Sequence, residues 1–460
     1  MSYNEQLKAN AAKVKFDSSS TVLNNGFEWA KRQAMQYVHF GEDPVGLWYE
    51  AALPGRDSFC IRDICHQSIG ANILGLREHT KNMLLKFMIN MDSSRDYCTF
   101  WEITREGKPT PVDYTNDGDF WYNLPANFDL IRSCYLQYLW TGDKTYISDE
   151  RFDNFYSKTV YEYTDTWDRD KDGIPEHYAG YGRRGIASYN EADLNYLMGG
   201  DMPAIQYAGL VSYSEILKSQ ERYEEAEKFI RRAEQVRNIY LKKWWDDQNK
   251  RFYGAMKQDG TFYKNIYNEA NFLPLFYGIV PTDEKLDISL RSAAALIDRS
   301  LNVEGMSYVP EIYYRYGMKN EAWKVLMELI HPELPRREYP EVSFAVVSTY
   351  VMGLLGINAE GRNTVSTVSN LGSGVEWAEI RDMPILNNEI AVRHTGDEAT
   401  EFENRTGRSL IWKVAFPGKR EYLKHNGRKT AAQSDIGLDG KPISFLTLEI
   451  EPGKKQVVSV

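Results

Sequence analysis

A repeated helical pattern over the first three quarters of the chain constrains its fold most strongly. Apolar residues recur at intervals of three and four, as on one face of a helix, in residues 24–40, 61–90, 123–140, 152–167, 202–218, 222–245, 283–299, 309–316, 321–330 and 342–355. These segments come in pairs, and longer loops rich in aromatic and acidic residues separate the pairs. The alternation predicts helical hairpins arranged as an (α/α)6 toroid. An α-solenoid is the alternative, but no fixed repeat period is visible.

The last hundred residues have a different pattern. Residues 361–374 are rich in Ser, Thr, Asn and Gly, as in a linker. Beyond them, apolar and polar residues alternate as in β-strands in residues 389–394, 410–414 and 445–450, with Pro-Gly, Asn-Gly and Asp-Gly turns nearby. We therefore predict a mainly α catalytic domain in residues 1–360 and a small antiparallel β-sandwich in residues 361–460. The sandwich is expected to be structural, with independent sugar binding as the alternative.

Composition narrows the classes of partner. Aromatic residues make up 13% of the 460 residues, with 11 Trp and 31 Tyr. Their rings combine an apolar face with a polar edge, which suits sugar binding, although most such rings serve a core. The formal net charge of -10 argues against nucleic acid and against an anionic membrane surface, since both attract basic patches. An oligosaccharide is the expected partner, and the sequence does not predict an oligomeric state.

The cysteines and the first residues bear on the compartment. The four cysteines, Cys60, Cys65, Cys98 and Cys134, fit no zinc spacing and are too few for a disulfide scaffold. We expect them to be free thiols. The first twenty residues contain no apolar stretch of the kind that signal peptides carry. The expected location is therefore cytoplasmic, although a signal that was removed would leave the same sequence.

Glycoside hydrolysis requires two carboxyl groups, one of which protonates the leaving oxygen. The aromatic loops are therefore the places where Asp and Glu matter most. In residues 48–67, two Arg-Asp pairs follow a Trp-Tyr pair, and Arg and Asp together suit the hydroxyl groups of a sugar. A buried ion-pair network is the alternative. The candidate sugar-binding residues of this loop are Trp48, Tyr49, Arg56, Asp57, Arg62, Asp63 and His66.

Two further loops carry binding candidates. Residues 113–125 form an acidic loop with a Phe-Trp-Tyr run, and we expect Trp121 and Tyr122 to stack on a sugar. Core aromatics before a capped helix are the alternative. In residues 189–195, Glu191 is a reserve acid, whereas Asp193 suits a helix N-cap.

The predicted catalytic acid lies in residues 168–178. Its Asp-x-Asp-x-Asp-Gly start is similar to a calcium loop, but Ala179 stands where an EF-hand has its closing Glu. The expected cofactor is therefore none, with calcium at Asp168, Asp170 and Asp172 as the alternative. Under the first interpretation the Asp run shapes a turn that delivers Glu176 into the cleft, where burial would raise its pKa.

The base is expected in residues 336–344, where two glutamates flank Tyr-Pro at the start of the last barrel helix. Either Glu338 or Glu341 fits, with Glu311 as a further candidate. Stabilisation of the helix dipole is the alternative role, and it applies better to Glu341.

Together these loops resemble those of the six-hairpin glycosidases, the group that holds glucoamylases, trehalases, processing glucosidases and α-L-rhamnosidases. The Asp-Gly-Ile-Pro-Glu stretch is similar to their acid loop, which would place the acid at Glu176. Residues 193–197 are similar to a helix start of trehalases, and the 338–341 loop resembles the position of the base.

The likeness to rhamnosidases is more specific. Pro54-Gly55-Arg56-Asp57-Ser58, followed by Arg62-Asp63, resembles their Pro-x-Arg-Asp-Glu…Gly-Asp loop, and residues 414–418 resemble their C-terminal sandwich. Ser58 stands where that family has its proposed acid, and no segment of these 460 residues resembles the N-terminal β domains common in the family. The resemblance implies an exo-acting, inverting hydrolase of a rhamnose- or glucose-like terminal sugar.

Two other functions use the same toroid. An unsaturated uronyl hydrolase or polysaccharide lyase would need basic residues, and Arg183, Arg184, Arg336 and Arg337 keep that possible. A non-catalytic glycan-binding protein would lack two opposed carboxylates.

Overall fold

A computed structural model describes residues 2–191, 196–264, 269–297 and 301–460. Its helices are α1 (Tyr3–Asn10), α2 (Thr21–Met35), α3 (Ile61–Ile73), α4 (Arg77–Ile89), α5 (Ala126–Thr141), α6 (Thr145–Ser148), α7 (Glu150–Lys158), α8 (Thr164–Trp167), α9 (Asp201–Ser219), α10 (Tyr223–Lys243), α11 (Glu269–Phe276), α12 (Glu284–Ile297), α13 (Val303–Arg315), α14 (Lys319–Leu329) and α15 (Pro340–Ser348). One π-helical turn, Thr159–Tyr163, follows α7 and another, Thr349–Leu354, follows α15.

Thirteen short strands of the described part of the chain lie in the segments between the helices. The first, β1 (Lys15–Ser18), joins a larger sheet. The other twelve form two-stranded pairs and are β2 (Val38–Asp43), β3 (Gly46–Tyr49), β4 (Ser58–Cys60), β5 (Glu102–Thr104), β6 (Tyr114–Asn116), β7 (Asp119–Phe120), β8 (Tyr122–Asn123), β9 (Gly185–Ile186), β10 (Tyr196–Gly199), β11 (Trp245–Asp246), β12 (Arg251–Phe252) and β13 (Ala255–Lys257).

The remaining strands build two larger sheets. They are β14 (Asn358–Gly361), β15 (Thr364–Val368), β16 (Trp377–Ile385), β17 (Asn388–Thr395), β18 (Ala399–Thr406), β19 (Leu410–Pro417), β20 (Tyr422–His425), β21 (Arg428–Ala431), β22 (Gln433–Ile436), β23 (Pro442–Ile450) and β24 (Lys454–Ser459). One sheet has the order β1-β16-β17-β18-β24-β20-β21 and the other β14-β15-β19-β23-β22. Within these two sheets the neighbouring strands are antiparallel except β15 and β19. The ring of Phe402 stacks on that of Trp412 between the sheets, 5.2 Å apart.

The burial of the helices separates them into two classes. In α3, every residue except Arg62 is buried, and α5, α9 and α15 are also buried on several faces. In contrast, α10 buries one stripe, at Ala226, Phe229, Ala233, Val236 and Tyr240. Helices buried on all sides lie inside a fold, and helices with a single apolar stripe cover them.

Contacts between the buried helices follow a simple order. Helix α3 packs on α5, α5 on α9, α9 on α11, α11 on α13, α13 on α15, and α15 on α3. Helices α4, α10, α12 and α14 pack on α3, α9, α11 and α13, respectively, and α2 packs on α15. The predicted mainly helical fold with a separate, mostly antiparallel sheet region is therefore confirmed.

The structure bears on several individual predictions made from the sequence. Gly142 follows α5 in the left-handed conformation, with φ 68°, as a helix-ending glycine should. The predicted linker over residues 361–374 is wrong in part, because β15 occupies Thr364–Val368 and buries Val365 between its neighbours. The domain boundary at 360 stays a prediction, although β1 near the start of the chain pairs with β16. The four cysteines are free thiols and are buried.

Gly70 marks a close approach between the backbones of α3 and α15. A Cβ at Gly70 would lie 2.1 Å from the carbonyl oxygen of Phe344. We expect Gly70→Ala to lower the free energy of unfolding by about 3 kcal/mol, because the backbone of α15 must move to make room. Denaturant unfolding checks this. Gly180→Ala is the control, since nothing lies within 4 Å of its added Cβ; an equal loss in both variants would contradict the prediction.

Candidate active site

The candidate active site is an acidic cluster at the N-terminal ends of buried helices. Arg62 and Asp63 lie in the first turn of α3, and Glu341 lies in the first turn of α15. Asn123 lies just before α5, and Glu191 lies in the segment before β10. The packing of α15 on α3 and of α3 on α5 brings the starts of these three helices together. Helix N-termini also favour negative charge, which suits a cluster of carboxylates.

Glu341 is the most tightly held member of the cluster. Its residue is 3% exposed, and its Oε1 lies 2.9 Å from Nδ1 of His66. His66 is buried, and burial lowers its pKa to about 4, so the ring is neutral at pH 7. A neutral ring facing a carboxylate carries its proton on Nδ1 and donates it. The ring of His66 also stacks on Tyr308, with centroids 3.5 Å apart, which fixes its orientation.

Asp63 lies within hydrogen-bonding reach of Glu341. Burial and the charge of Glu341 raise the pKa of Asp63 to about 7, while Arg62 opposes the rise. Burial also raises the pKa of Glu341. Two neighbouring carboxyl groups cannot both ionise easily, so the pair holds a proton near neutral pH.

Glu191 interacts electrostatically with the same arginine as this pair. The charges of Asp63, Glu341 and Glu191 all raise the pKa of Arg62, so the three carboxylates lie within electrostatic range of one cation. The side chain of Glu191 is exposed to solvent, yet the surrounding protein raises its pKa through desolvation. This combination is typical of a residue on the wall of a cleft, where a ligand can reach it.

Glu102 is a buried acid that the sequence analysis missed. It lies on β5, which pairs with β4 so that Ser58 and Glu102 are close neighbours. Ser58 Oγ donates to Glu102 Oε1, and Arg56 Nη2 lies 2.8 Å from Glu102 Oε2. Burial raises the pKa of Glu102 to about 7, and Ser58 opposes the rise. The only sequence signal was the Trp101-Glu102 pair in an aromatic loop.

Glu102 contacts a residue that the sequence resemblance singled out. That resemblance predicts Ser58 at the position of the rhamnosidase acid, and the structure places the Glu102 carboxylate of the neighbouring strand against its hydroxyl. Asp113 joins this group through Thr110, whose hydroxyl donates to Asp113 Oδ2 at 2.6 Å. The charge of Asp113 also raises the pKa of Glu191, so the two acidic groups influence each other electrostatically.

Several predicted binding residues lie away from the cluster. Trp48, Tyr49 and Tyr122 are at most 1% exposed, so none offers a ring face to a sugar. Trp48 Nε1 donates to Asp43, the Tyr49 hydroxyl contacts Thr80, and the Tyr122 hydroxyl contacts His177. The core interpretation of these rings therefore replaces the stacking interpretation. Trp121 is half-buried, and Asp57 is exposed beside Arg105, 3.5 Å away.

Glu338 and Glu176 also lie apart from the acidic cluster. Glu338 is exposed, and its backbone carbonyl accepts hydrogen bonds from Gln33 and Tyr37. Glu176 is 1% exposed and lies among Asp168, Asp170 and Asp172 rather than beside Asp63. Of the other two residues considered at the sequence level, Glu311 pairs with Arg315 at 2.9 Å, and Asp193 lies outside the described residues.

The four arginines that could bind the carboxylate of a uronate substrate already contact other side chains. Arg183 pairs with Asp96, Arg184 with Asp119 at 2.7 Å, and Arg336 with Glu304, while Arg337 lies over the ring of Trp29.

A cavity of about 660 Å³ lies elsewhere, between α1 and the β16–β17 hairpin. None of the acidic cluster residues lines it, so it is not the candidate site. No helix in the described part of the chain has the length and apolar character needed to cross a membrane.

Comparison with known proteins shows that the fold is similar to that of α-L-rhamnosidases and of a putative glycoside phosphorylase. No protein-family model matches the sequence, and no curated protein matches it. Among solved structures, a GH78 rhamnosidase of Bacillus sp. GL1 is similar over 86% of this chain and 41% of its own, with TM-score 0.64 and 13% identity.

Two further structures support the same fold. An α-L-rhamnosidase from Dictyoglumus thermophilum matches over 98% of this chain and 51% of its own, with TM-score 0.65 and 12% identity. A putative kojibiose phosphorylase from the human microbiome matches over 99% and 70%, with TM-score 0.60 and 11% identity. This chain thus spans about half the length of the rhamnosidases it resembles.

Proposed function

We propose that the protein is a glycoside hydrolase that releases a rhamnose- or glucose-like terminal sugar from an oligosaccharide with inversion. The observation that carries the proposal is that the charges of Glu341 and Glu191 both act on Arg62, in a fold shared with glycosidases and a glycoside phosphorylase. We also infer that α3, α5, α9, α11, α13 and α15 are the inner ring of an (α/α)6 toroid, because each packs on the next and the last on the first.

Glu341 is assigned as the base. A general base must be ionised and correctly oriented. His66 and Arg62 both favour the carboxylate form of Glu341. It would take a proton from the water that attacks the anomeric carbon. Asp63, within reach of the same carboxyl group, would accept hydrogen bonds from sugar hydroxyls, and Arg62 would donate hydrogen bonds to them.

Glu191 is assigned as the acid, in place of Glu176. A general acid needs a raised pKa and contact with the leaving oxygen. Glu191 has a raised pKa and an exposed side chain, whereas Glu102 is enclosed by Ser58 and Arg56. Glu102 is therefore assigned a supporting role, holding the loop that leads into α3.

Phosphorolysis is the second reaction that this fold can carry out, as one neighbour indicates by its name. In that reaction a phosphate would take the place of the attacking water. The adjacent carboxyl groups of Asp63 and Glu341 would repel a phosphate dianion, and this favours water as the nucleophile. Release of free sugar, with no dependence on added phosphate, would support hydrolysis.

Leaving-group dependence tests the acid. In Glu191→Gln, hydrolysis of aryl glycosides with poor leaving groups should fall by about 10²–10⁴-fold. Dinitrophenyl glycosides should be hydrolysed nearly as fast as by the wild type, because they leave without protonation. The measurement is kcat/KM over an aryl rhamnoside and glucoside series, with Glu102→Gln beside it. If Glu102→Gln shows the leaving-group dependence and Glu191→Gln does not, the acid is Glu102.

A further inference from the structure

The loop of residues 168–176 contains four carboxylates at the spacing of a calcium-binding loop. Asp168, Asp170 and Asp172 stand at positions 1, 3 and 5, Gly173 at position 6, and Glu176 at position 9. Gly173 has φ +94°, so the chain makes at position 6 the sharp turn for which calcium loops use glycine.

The structure brings the four acidic side chains together. Each offers a carboxylate oxygen, and these atoms all lie within 4.8 Å of one another. Asp168 is 7% exposed and Glu176 is 1% exposed, yet Asp168 Oδ1 and Glu176 Oε2 form no hydrogen bond to any described residue. A buried carboxylate oxygen without a donor is costly unless a cation binds it.

Among the described residues, one basic side chain forms an ion pair with the four carboxylates of this loop. Lys243 Nζ lies 3.2 Å from Asp172 Oδ2. Lys171 turns to Asp165, at 2.9 Å, and the Arg169 guanidinium lies 4.0 Å from the ring centre of Tyr178. One lysine against four carboxylates, counted over the described residues, leaves an excess of negative charge that a divalent cation would balance.

We propose that this loop binds one calcium ion through Asp168, Asp170, Asp172 and Glu176. Hard carboxylate oxygens are the ligands that calcium prefers, and the backbone carbonyl of position 7, here Ile174, together with water would complete six to eight ligands. The absent Glu at position 12, where Ala179 stands, is replaced by Glu176 at position 9.

The position of the loop gives the ion a structural role near the active site. Gln206 on α9 donates to the carbonyl of Gly173 at 2.7 Å. The backbone of His177, directly after Glu176, donates to Leu197 at 2.8 Å, and the His177 ring contacts Tyr122, the neighbour of Asn123. The ion would therefore hold the chain that supports one side of the acidic cluster. This proposal does not rest on the proposed function.

Terbium luminescence tests the site, because Tb³⁺ occupies calcium sites and the buried Trp167 beside Asp168 can sensitise its emission. The chelator-treated 460-residue protein should bind one Tb³⁺ per chain, with Ca²⁺ displacing it far more effectively than Mg²⁺. Asp168→Asn and Glu176→Gln should weaken binding at least tenfold. Asp165→Asn, an exposed residue nearby, is the matched control and should bind as the wild type does.

A second measurement guards against variants that fail to fold. Millimolar Ca²⁺ should raise the Tm of chelator-treated wild-type protein by roughly 3–8 °C. An unchanged Tm, or equal Tb³⁺ affinity in the wild type and Glu176→Gln, would overturn the proposal. Glycoside turnover lost in Glu176→Gln and restored by excess Ca²⁺ indicates a ligand, whereas a loss that depends on the leaving group and ignores Ca²⁺ would make Glu176 the acid.

Discussion

Glu341→Gln should lower kcat by about 10²–10⁴-fold on every glycoside the enzyme accepts, whatever the leaving group. Glutamine has nearly the same shape, and its carbonyl oxygen can still accept from His66 Nδ1, so the buried site keeps its packing. It cannot take a proton from water. Loss of the base slows attack at the anomeric carbon, and an easily expelled leaving group does not compensate for that.

Glu338→Gln is the matched control for this prediction. Glu338 lies three residues earlier in the same loop, but its side chain is exposed, and its backbone carbonyl is the group that contacts Gln33 and Tyr37. Its turnover should stay within about twofold of the wild type, as surface substitutions usually do. Stopped assays on dinitrophenyl and nitrophenyl glycosides give both numbers. A Glu341→Gln enzyme that keeps a tenth of wild-type activity would remove Glu341 from the mechanism.

Asp63→Asn should have two effects of opposite sign, a loss of turnover and a gain in stability at alkaline pH. Burial and Glu341 raise the pKa of Asp63 to about 7, so its folded form holds a proton more tightly than the unfolded chain does. The stability that this proton contributes is complete below about pH 4 and is lost as pH rises through about 7. The neutral amide avoids that loss, which is on the order of 4 kcal/mol.

Denaturant unfolding at pH 5 and pH 8 measures the stability effect. The gain of Asp63→Asn over the wild type should be larger at pH 8 than at pH 5. A gain that is the same at both pH values would show that the ionisation of Asp63 is not its cause. Asp57→Asn is the control, because Asp57 is exposed and its substitution should change stability little at either pH.

The pH dependence of the residual activity gives a second measurement. Below about pH 7 Asp63 is protonated, and its hydrogen bond lowers the pKa of Glu341. The amide of Asp63→Asn can donate the same bond, so the acidic limb of the kcat/KM profile should stay in place. A limb that moves to higher pH would show that the amide does not replace this hydrogen bond.

The sequence by itself determined the main elements of this protein. The three-to-four periodicity of α10 and the alternation in β17, β19 and β23 follow from one buried face each, and a face is visible in a linear pattern. Gly142 ends its helix because it lacks a Cβ, which the sequence alone reveals. Arg62, Asp63 and Glu341 were predicted as site residues in the same way, because acidic and basic residues at a helix start are a local signal.

The tertiary structure alone decided which of these residues meet. Trp48 and Tyr122 have the composition of a sugar platform, but burial is set by residues distant in sequence, and both rings lie in the core. Glu102 reaches Ser58 through strand pairing between segments far apart in the sequence. The structure also separates Glu341 from Glu338. Glu341 lies in the first turn of α15 and meets His66 and Asp63, whereas Glu338 lies before that helix and is exposed.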